Sequence, residues 1–224
     1  MVLRFFIFAV AFLISCTSEE RDSVCDEKSV KYNYNVCVEI GSSNSIPSSV
    51  TYGPPVSYEG ETYKTLVIGT QTWFQRNLNY GIEGGRCYNH DYANCTTYGR
   101  LYNWEAAMNA CPSGWHIPSN SEWNELINFV GGTQTAGRYL KTRQGWNGST
   151  SSIRNSVGFS ALPGGYGASD YDFRGLGSYG GWWSSSESEV GSSAYVWSMS
   201  SDDEEVIRYE KDQFSLYSVR CVKD

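Results

Sequence analysis

The sequence predicts an α+β domain: a mainly antiparallel sheet with two early helices and long Gly-rich loops, stapled by disulfides. Three observations carry this. Short β-rich runs bounded by Gly, Ser and Asn open the domain and fill its C-terminal half. Two segments between residues 101 and 131 have apolar residues at helical spacing. Once a leader cysteine is set aside, six cysteines remain, an even number in a chain that reads as exported.

Composition bounds the function. The 224 residues are 40% hydrophobic, enough for a single core, and Lys+Arg 17 against Asp+Glu 24 gives a net charge of −7. A nucleic-acid binder needs a positive field to neutralise phosphates, so that class of partner is excluded. Only two histidines, His90 and His116, argue against a His-rich zinc centre or a multi-His catalytic site.

The N-terminus is a leader. One cation, Arg4, precedes ten apolar residues, 5–14. As a helix they rise only ~15 Å, half a bilayer core, which fits a signal peptide and not a membrane span. Leu13-Ile14-Ser15-Cys16 resembles the bacterial lipobox, whose cysteine is acylated and becomes the mature N-terminus. Residues 1–15 are therefore expected to be removed and Cys16 to carry the lipid, anchoring the protein in the outer membrane. The acidic stretch Glu19-Glu20-Arg21-Asp22 resembles a surface-export signal, and is equally a solvated tether.

Residues 16–57 read as tether and linker. Val30 to Ile40 suits a small hairpin, which a Cys25–Cys37 bridge would staple, and Ser42 to Pro55 is Ser/Pro/Gly-rich. The domain is expected over 58–224. Thr62 to Ile68, a Gly69-Thr70 turn, and Gln71 to Phe74 form its opening hairpin. Residues 81–99 read as a loop, and Leu101 to Ala110 as the first helix. The second helix follows Ser119, where Glu122 three residues on makes a capping box and Trp123, Leu126, Ile127 and Val130 form an apolar stripe. That position explains Glu122 as a cap rather than a catalytic acid. Candidate strands then run Gly158–Leu162, Trp182–Ser186, Ala194–Ser200, Val206–Glu210 and Leu216–Val222. Pro163 to Gly181, with seven Gly and three Tyr, reads as a long loop, a rarity unless functional or disordered.

Spacing suggests pairing Cys25–Cys37 and Cys87–Cys95 locally and Cys111–Cys221 across the domain, among fifteen possible connectivities. Closing a loop of that last length contributes about 4–5 kcal/mol in the chain-entropy model.

Several phrases are more specific. They are Tyr63-Lys64-Thr65-Leu66-Val67-Ile68-Gly69-Thr70-Gln71-Thr72-Trp73, Tyr98-Gly99-Arg100-Leu101-Tyr102-Asn103-Trp104, Ala110-Cys111-Pro112-Ser113-Gly114-Trp115-His116-Ile117-Pro118, Gly158-Phe159-Ser160-Ala161-Leu162-Pro163-Gly164-Gly165, Trp182-Trp183-Ser184-Ser185-Ser186-Glu187 and Ser218-Val219-Arg220-Cys221-Val222. Together they resemble the Fibrobacter succinogenes major paralogous domain family, from about residue 58 onward. The resemblance implies an exported or surface lipoprotein with no established activity. More distantly, Gly114 to Ser119 with Glu122-Trp123 and Arg220-Cys221 is similar to formylglycine-generating-enzyme-like domains, implying a C-type-lectin-like fold whose usual staple Cys111–Cys221 would be.

Three functions follow as expectations. The first is a non-catalytic binding or adhesion domain for a glycan or surface protein. In the lectin-like fold Pro163–Gly181 occupies the position of ligand loops, and Tyr166, Tyr171 and Tyr179 could stack on sugar rings while Asp170 and Asp172 accept hydrogen bonds. The Glu-Pro-Asn, Gln-Pro-Asp and Trp-Asn-Asp signatures of calcium-dependent lectins are absent. Trp182, Trp183 and Trp197 read equally as core; adjacent on a strand, Trp182 and Trp183 face opposite sides, so one should be buried. The second is an envelope structural protein without a ligand, with calcium held by Asn89, Asp91 and Asn94 or by Asp202 to Glu205. The third, a formylglycine-generating-like enzyme, needs a reactive cysteine, whereas each domain cysteine has a disulfide partner. The expectation is that the chain is not an enzyme.

Overall fold

The computed structural model describes residues 30–33, 36–39, 50–148, 151–189 and 191–224. The chain divides into two compact units, 1–45 and 46–224. In the first, β1 (Val30–Asn33) and β2 (Val36–Glu39) form an antiparallel hairpin with Tyr32 opposite Cys37. Cys16 and Cys25 lie outside the described residues, and with them the lipid anchor and the Cys25–Cys37 pairing.

The second unit opens with β3 (Thr51–Tyr58), β4 (Glu61–Ile68) and β5 (Gln71–Phe74), an antiparallel meander. The opening hairpin is where the sequence places it. The linker reading of residues 51–55 is corrected: they are edge strand, paired with β4. Pro54 and Pro55 sit at a register break between Gly53 and Val56, on an edge, where a missing N–H is tolerated.

Residues 81–99 are more regular than a loop. They contain β6 (Gly85–Arg86), a 3-10 turn (Tyr88–His90) and α1 (Tyr92–Tyr98), whose first turn is capped by Asp91 accepting from the Ala93 amide. The first helix is shorter than expected. Leu101–Tyr102 is strand β7, because Asn103 caps the following turn through its side chain and α2 covers only Trp104–Met108. After β8 (Trp115–His116) comes α3 (Asn120–Phe129), with the Ser119/Glu122 capping box formed as the sequence predicts and Trp123, Leu126 and Ile127 buried. α4 (Ala136–Leu140) has no sequence signal: its Thr135 makes no side-chain cap, and a tertiary bond from the Gly137 amide to the Glu204 carbonyl holds it.

The Gly-rich stretch is also corrected. Most of it is the hairpin β9 (Gly164–Ser169) and β10 (Asp172–Leu176), leading into β11 (Tyr179–Glu187). A Cβ on Gly181 would come within 2.7 Å of the Tyr217 ring and 2.8 Å of the Tyr179 ring, so aromatic faces fill the space that side chains leave. Gly165, at φ +70, would meet the Tyr88 ring at 2.6 Å. β12 (Ser193–Ser200), β13 (Val206–Asp212), β14 (Tyr217–Ser218) and β15 (Val222–Lys223) complete the chain. Gly158–Leu162 is not a strand; Ala161 makes an isolated bridge with Lys141.

Two sheets result, one of five strands in the order β3-β4-β5-β15-β8 and one of eight centred on β11. Pairing is antiparallel except where β11 meets β9 and β14. Successive residues of one strand feed two different cores. Trp73 and Trp182 join Trp123, Trp197, Phe159 and Leu126, whereas Phe74 and Trp183 join Tyr63, Tyr102, Val196 and Tyr217. Trp182 and Trp183 are therefore both buried, since both faces of β11 are covered. The Cys87–Cys95 and Cys111–Cys221 disulfides are formed, the second joining the chain after α2 to that before β15.

Where the segments converge lies Arg220, fully buried. No carboxylate faces it among the described residues. Its guanidinium donates to the carbonyls of Gln75 (2.7 Å), Phe159 (2.5 Å) and Phe74 (3.4 Å) and to Asn77 Oδ1 (2.7 and 3.1 Å), and it stacks 4.3 Å from the Phe159 ring centroid. Burial pulls its pKa down to about 9. Asn77 Oδ1 also accepts from Trp182 Nε1 at 2.8 Å, while Asn77 Nδ2 donates to the Tyr98 carbonyl and Ser218 Oγ.

A second clasp closes the C-terminal strand. His116 Nδ1 lies 2.6 Å from Asp224 Oδ1 and Nε2 lies 2.8 Å from Glu122 Oε1. The other Glu122 oxygen accepts from Ser119 N and Oγ. Partial desolvation works against the charged imidazole, but the bonds to Asp224 and Glu122 prevail and its pKa is raised. Glu122 is likewise partly desolvated, but its bonds to Ser119 and His116 lower its pKa.

Two outcomes are expected. Replacing Arg220 with Met strips three carbonyls of their guanidinium donor and leaves Asn77 Oδ1 with Trp182 Nε1 as its remaining donor, and should lower the urea-derived unfolding free energy by about 3 kcal/mol or more; a loss under about 1 kcal/mol would refute the central role given to this residue. For the clasp, the folded state holds the His116 proton more tightly than the unfolded chain. Its stabilisation is complete below the unfolded imidazole pKa and disappears as pH rises through the higher folded one. The urea midpoint of the wild type minus that of His116→Gln should therefore shrink between about pH 6 and 8, and a constant difference would show the proton to be irrelevant.

Candidate functional site

The tip of the β9–β10 hairpin, Ser169 to Asp172, docks on the loop that Cys87–Cys95 closes. Thus two segments that the sequence offers for different reasons form one surface. Arg86 Nη2 donates to Asp170 Oδ2 at 3.1 Å, and His90 Nε2 donates to the Asp170 carbonyl at 2.6 Å. The His90 ring stands edge-on to Phe173 (5.3 Å between centroids) and tilted against Tyr171 (5.8 Å). Phe173 in turn packs on Tyr88.

The support is strained and therefore specified. Asn89 (φ 52) and His90 (φ 57) are adjacent non-glycine residues in the left-handed region, a conformation that costs of order 1–3 kcal/mol each and persists only where surroundings hold it. Here the disulfide, the Asp91 cap and the Asp170 contacts hold it. On this base Tyr171 stands 90% exposed, with Tyr92, 67% exposed, at the start of α1. A large aromatic displayed on a braced hairpin loses little entropy on binding.

The five predicted ligand residues separate into two groups. Asp170, Tyr171 and Asp172 are at the tip; Asp172 makes a two-point ion pair with Arg174 (2.8 and 2.5 Å), which lowers its pKa. Tyr166 and Tyr179 are at the root instead. Tyr166 stacks on Tyr217 at 5.6 Å and meets Tyr179 edge-on at 5.3 Å, and burial pushes the Tyr179 hydroxyl up to about 12. They brace the hairpin from the core side. With both acids paired to arginines, the tip presents aromatic faces over neutralised charge, which suits an uncharged ring more than an ion.

The calcium candidates have other work. Asp91 Oδ1 caps α1, and Asn94 Nδ2 donates to the Tyr88 carbonyl, while Asn89 supplies the left-handed turn. Among the described residues no group of three or more His, Cys, Asp or Glu converges as a metal site. The acidic run 202–205 encloses a cation of the protein's own. Lys141, 3% exposed, donates to the carbonyls of Ser200 (2.8 Å) and Asp203 (2.6 Å) beneath the Trp146 ring, and Arg138 pairs with Glu204. Desolvation lowers the Lys141 pKa.

Arg86, His90, Tyr92 and Phe173 were not legible as site residues. Their one sequence signal was the expected Cys87–Cys95 closure, which says that the loop is fixed but not what it faces.

Neither a curated protein nor a solved structure matched the chain. The model of the Fibrobacter succinogenes major domain matches residues 66–223, from the middle of β4 to the end of β15, and by that match the chain belongs to the Fibrobacter succinogenes major domain family.

Proposed function

We propose that this chain is a cell-envelope lipoprotein, held in the outer membrane through Cys16 and facing the cell surface, whose domain binds a surface ligand without catalysis. The hairpin tip is its binding surface, and a glycan is the ligand that its chemistry fits best. The observation that carries this reading is the exposure of Tyr171 on a support braced by Arg86, His90 and a disulfide. Aromatic faces stack on the apolar faces of sugar rings, and Tyr adds a hydroxyl at the rim.

Other features support the surrounding claims. A staple between the chain after α2 and the last strand, with the hairpin projecting from the larger sheet, is consistent with a C-type-lectin-like fold. The pairing of Cys87, Cys95, Cys111 and Cys221 in disulfides supports a non-catalytic role over a formylglycine-generating one, which needs free thiolate. A structural role with no ligand is the alternative, and the same measurement separates the two.

Cys16→Ala should move the protein from the membrane to the soluble fraction on ultracentrifugation, because the leader alone leaves no lasting anchor. Retention in the membrane would exclude the lipid anchor. On a glycan array the full chain should bind, and Tyr171→Ala should weaken that binding about tenfold or more, as truncating a central aromatic anchor does. A folded protein that binds nothing on the array would favour the structural role or a protein partner.

A further inference from the structure

A concavity lies away from the hairpin, on the β4–β5 side of the domain. It is an open cleft of about 480 Å³ lined by Glu61, Thr62, Lys64, Gln75 and Arg76. Its charges are unequal. Glu61 is fully engaged: one oxygen takes the Arg76 guanidinium and the other accepts from Asn79 Nδ2 at 3.2 Å. Those bonds lower the Glu61 pKa, so the carboxylate stays ionised and spent on its partners.

Arg76 is fixed in place as well, with its guanidinium 4.7 Å from the Tyr63 ring centroid. Its Nε is buried and has no hydrogen-bond partner among the described residues. Lys64 has no carboxylate within ion-pair distance among the described residues, and it is exposed. Two cations against one committed anion leave the cleft at +1, on a chain whose net charge is −7. Thr62 and Gln75 add neutral polar groups at the same wall, the Gln75 Nε2 already donating to the Gly158 carbonyl at 3.3 Å.

A local positive site on a negative protein concentrates anions that the remaining surface repels. The mixture of one free ammonium, one braced guanidinium and neutral amide and hydroxyl groups matches an anion carried on a polyhydroxylated frame. We propose that this cleft is a second binding site, and that it takes an acidic saccharide, with Lys64 receiving its anionic group, Arg76 flanking it, and Thr62 and Gln75 meeting its hydroxyls. The anionic group is a carboxylate or a sulfate; the cleft's chemistry is common to both. This site does not depend on the hairpin tip.

The test is isothermal titration of the full chain with three probes: an oligogalacturonate, the same oligomer methyl-esterified, and a sulfated disaccharide. At least one acidic probe should bind, the neutral ester should bind at least tenfold more weakly, and added salt should weaken the acidic interaction. Lys64→Glu should reduce binding of the acidic probe about tenfold or more, the size of one charge-assisted hydrogen bond. Tyr171→Ala should leave it unchanged, so this site and the hairpin site stand or fall separately. Because Lys64 is exposed, the variant should keep the wild-type near-ultraviolet circular dichroism. Which acidic probe binds identifies the group. Equal binding of ester and acid, undiminished binding by Lys64→Glu, or no binding of either acidic probe overturns the proposal.

Discussion

The domain is organised around one buried cation. Arg220 brings the chain before β15 against Phe74 and Gln75 at the end of β5, against Phe159 in the irregular segment, and through Asn77 against Trp182 of β11. These partners span both sheets and both cores. A guanidinium without a carboxylate is costly to bury, and only a full set of well-placed acceptors offsets that cost. Five donated bonds and an aromatic face meet the requirement. They leave little freedom in where the contributing segments lie, and the neighbouring Cys221 is fastened to Cys111 from the same position.

Around this point the packing is aromatic. Most tryptophan indoles enter the interior with their N–H groups tied: Trp183 to the Tyr102 carbonyl, Trp197 to Asn120, Trp146 to the Ala161 carbonyl and Trp104 to the Ser184 carbonyl, while the buried Trp123 Nε1 has no partner among the described residues. Such bonds fix the ring orientation as well as removing the cost of a dry donor. The glycines of β9 and β11 belong to the same arrangement, since rings of Tyr88, Tyr179 and Tyr217 lie on backbone where a side chain would stand. Rigidity in the core then passes outward through Tyr166 and Tyr179 to the hairpin, whose far end is caught by Arg86 and His90.

Much of the local structure was written in the sequence. Ser119 and Glu122 announced the start of α3 because a capping box is satisfied within four residues. The opening hairpin was legible because strand runs and a Gly-Thr turn are contiguous. Residues 163–181 misled for a physical reason: glycine signals a loop when its neighbours are unknown, and the rings that convert this stretch into strand come from Tyr88 and Tyr217, far along the chain. α4 was invisible for the same reason, its N-terminal end being held by Glu204. The sequence required only one of Trp182 and Trp183 to be buried, because coverage of the second sheet face is not a local property.

By itself the sequence determined the α+β class, the family and the Ser119/Glu122 cap, and suggested the two described disulfides, all from residue spacing or short contiguous phrases. Tertiary structure alone decided that the Cys87–Cys95 loop and the hairpin tip are one surface, that Tyr171 is displayed while Tyr166 and Tyr179 are braced, and that Lys64 lacks the carboxylate which Arg76 has. Those facts are differences in environment between residues of the same type. Environment is set by which distant segments pack together, and in this domain that is settled by the acceptors converging on Arg220.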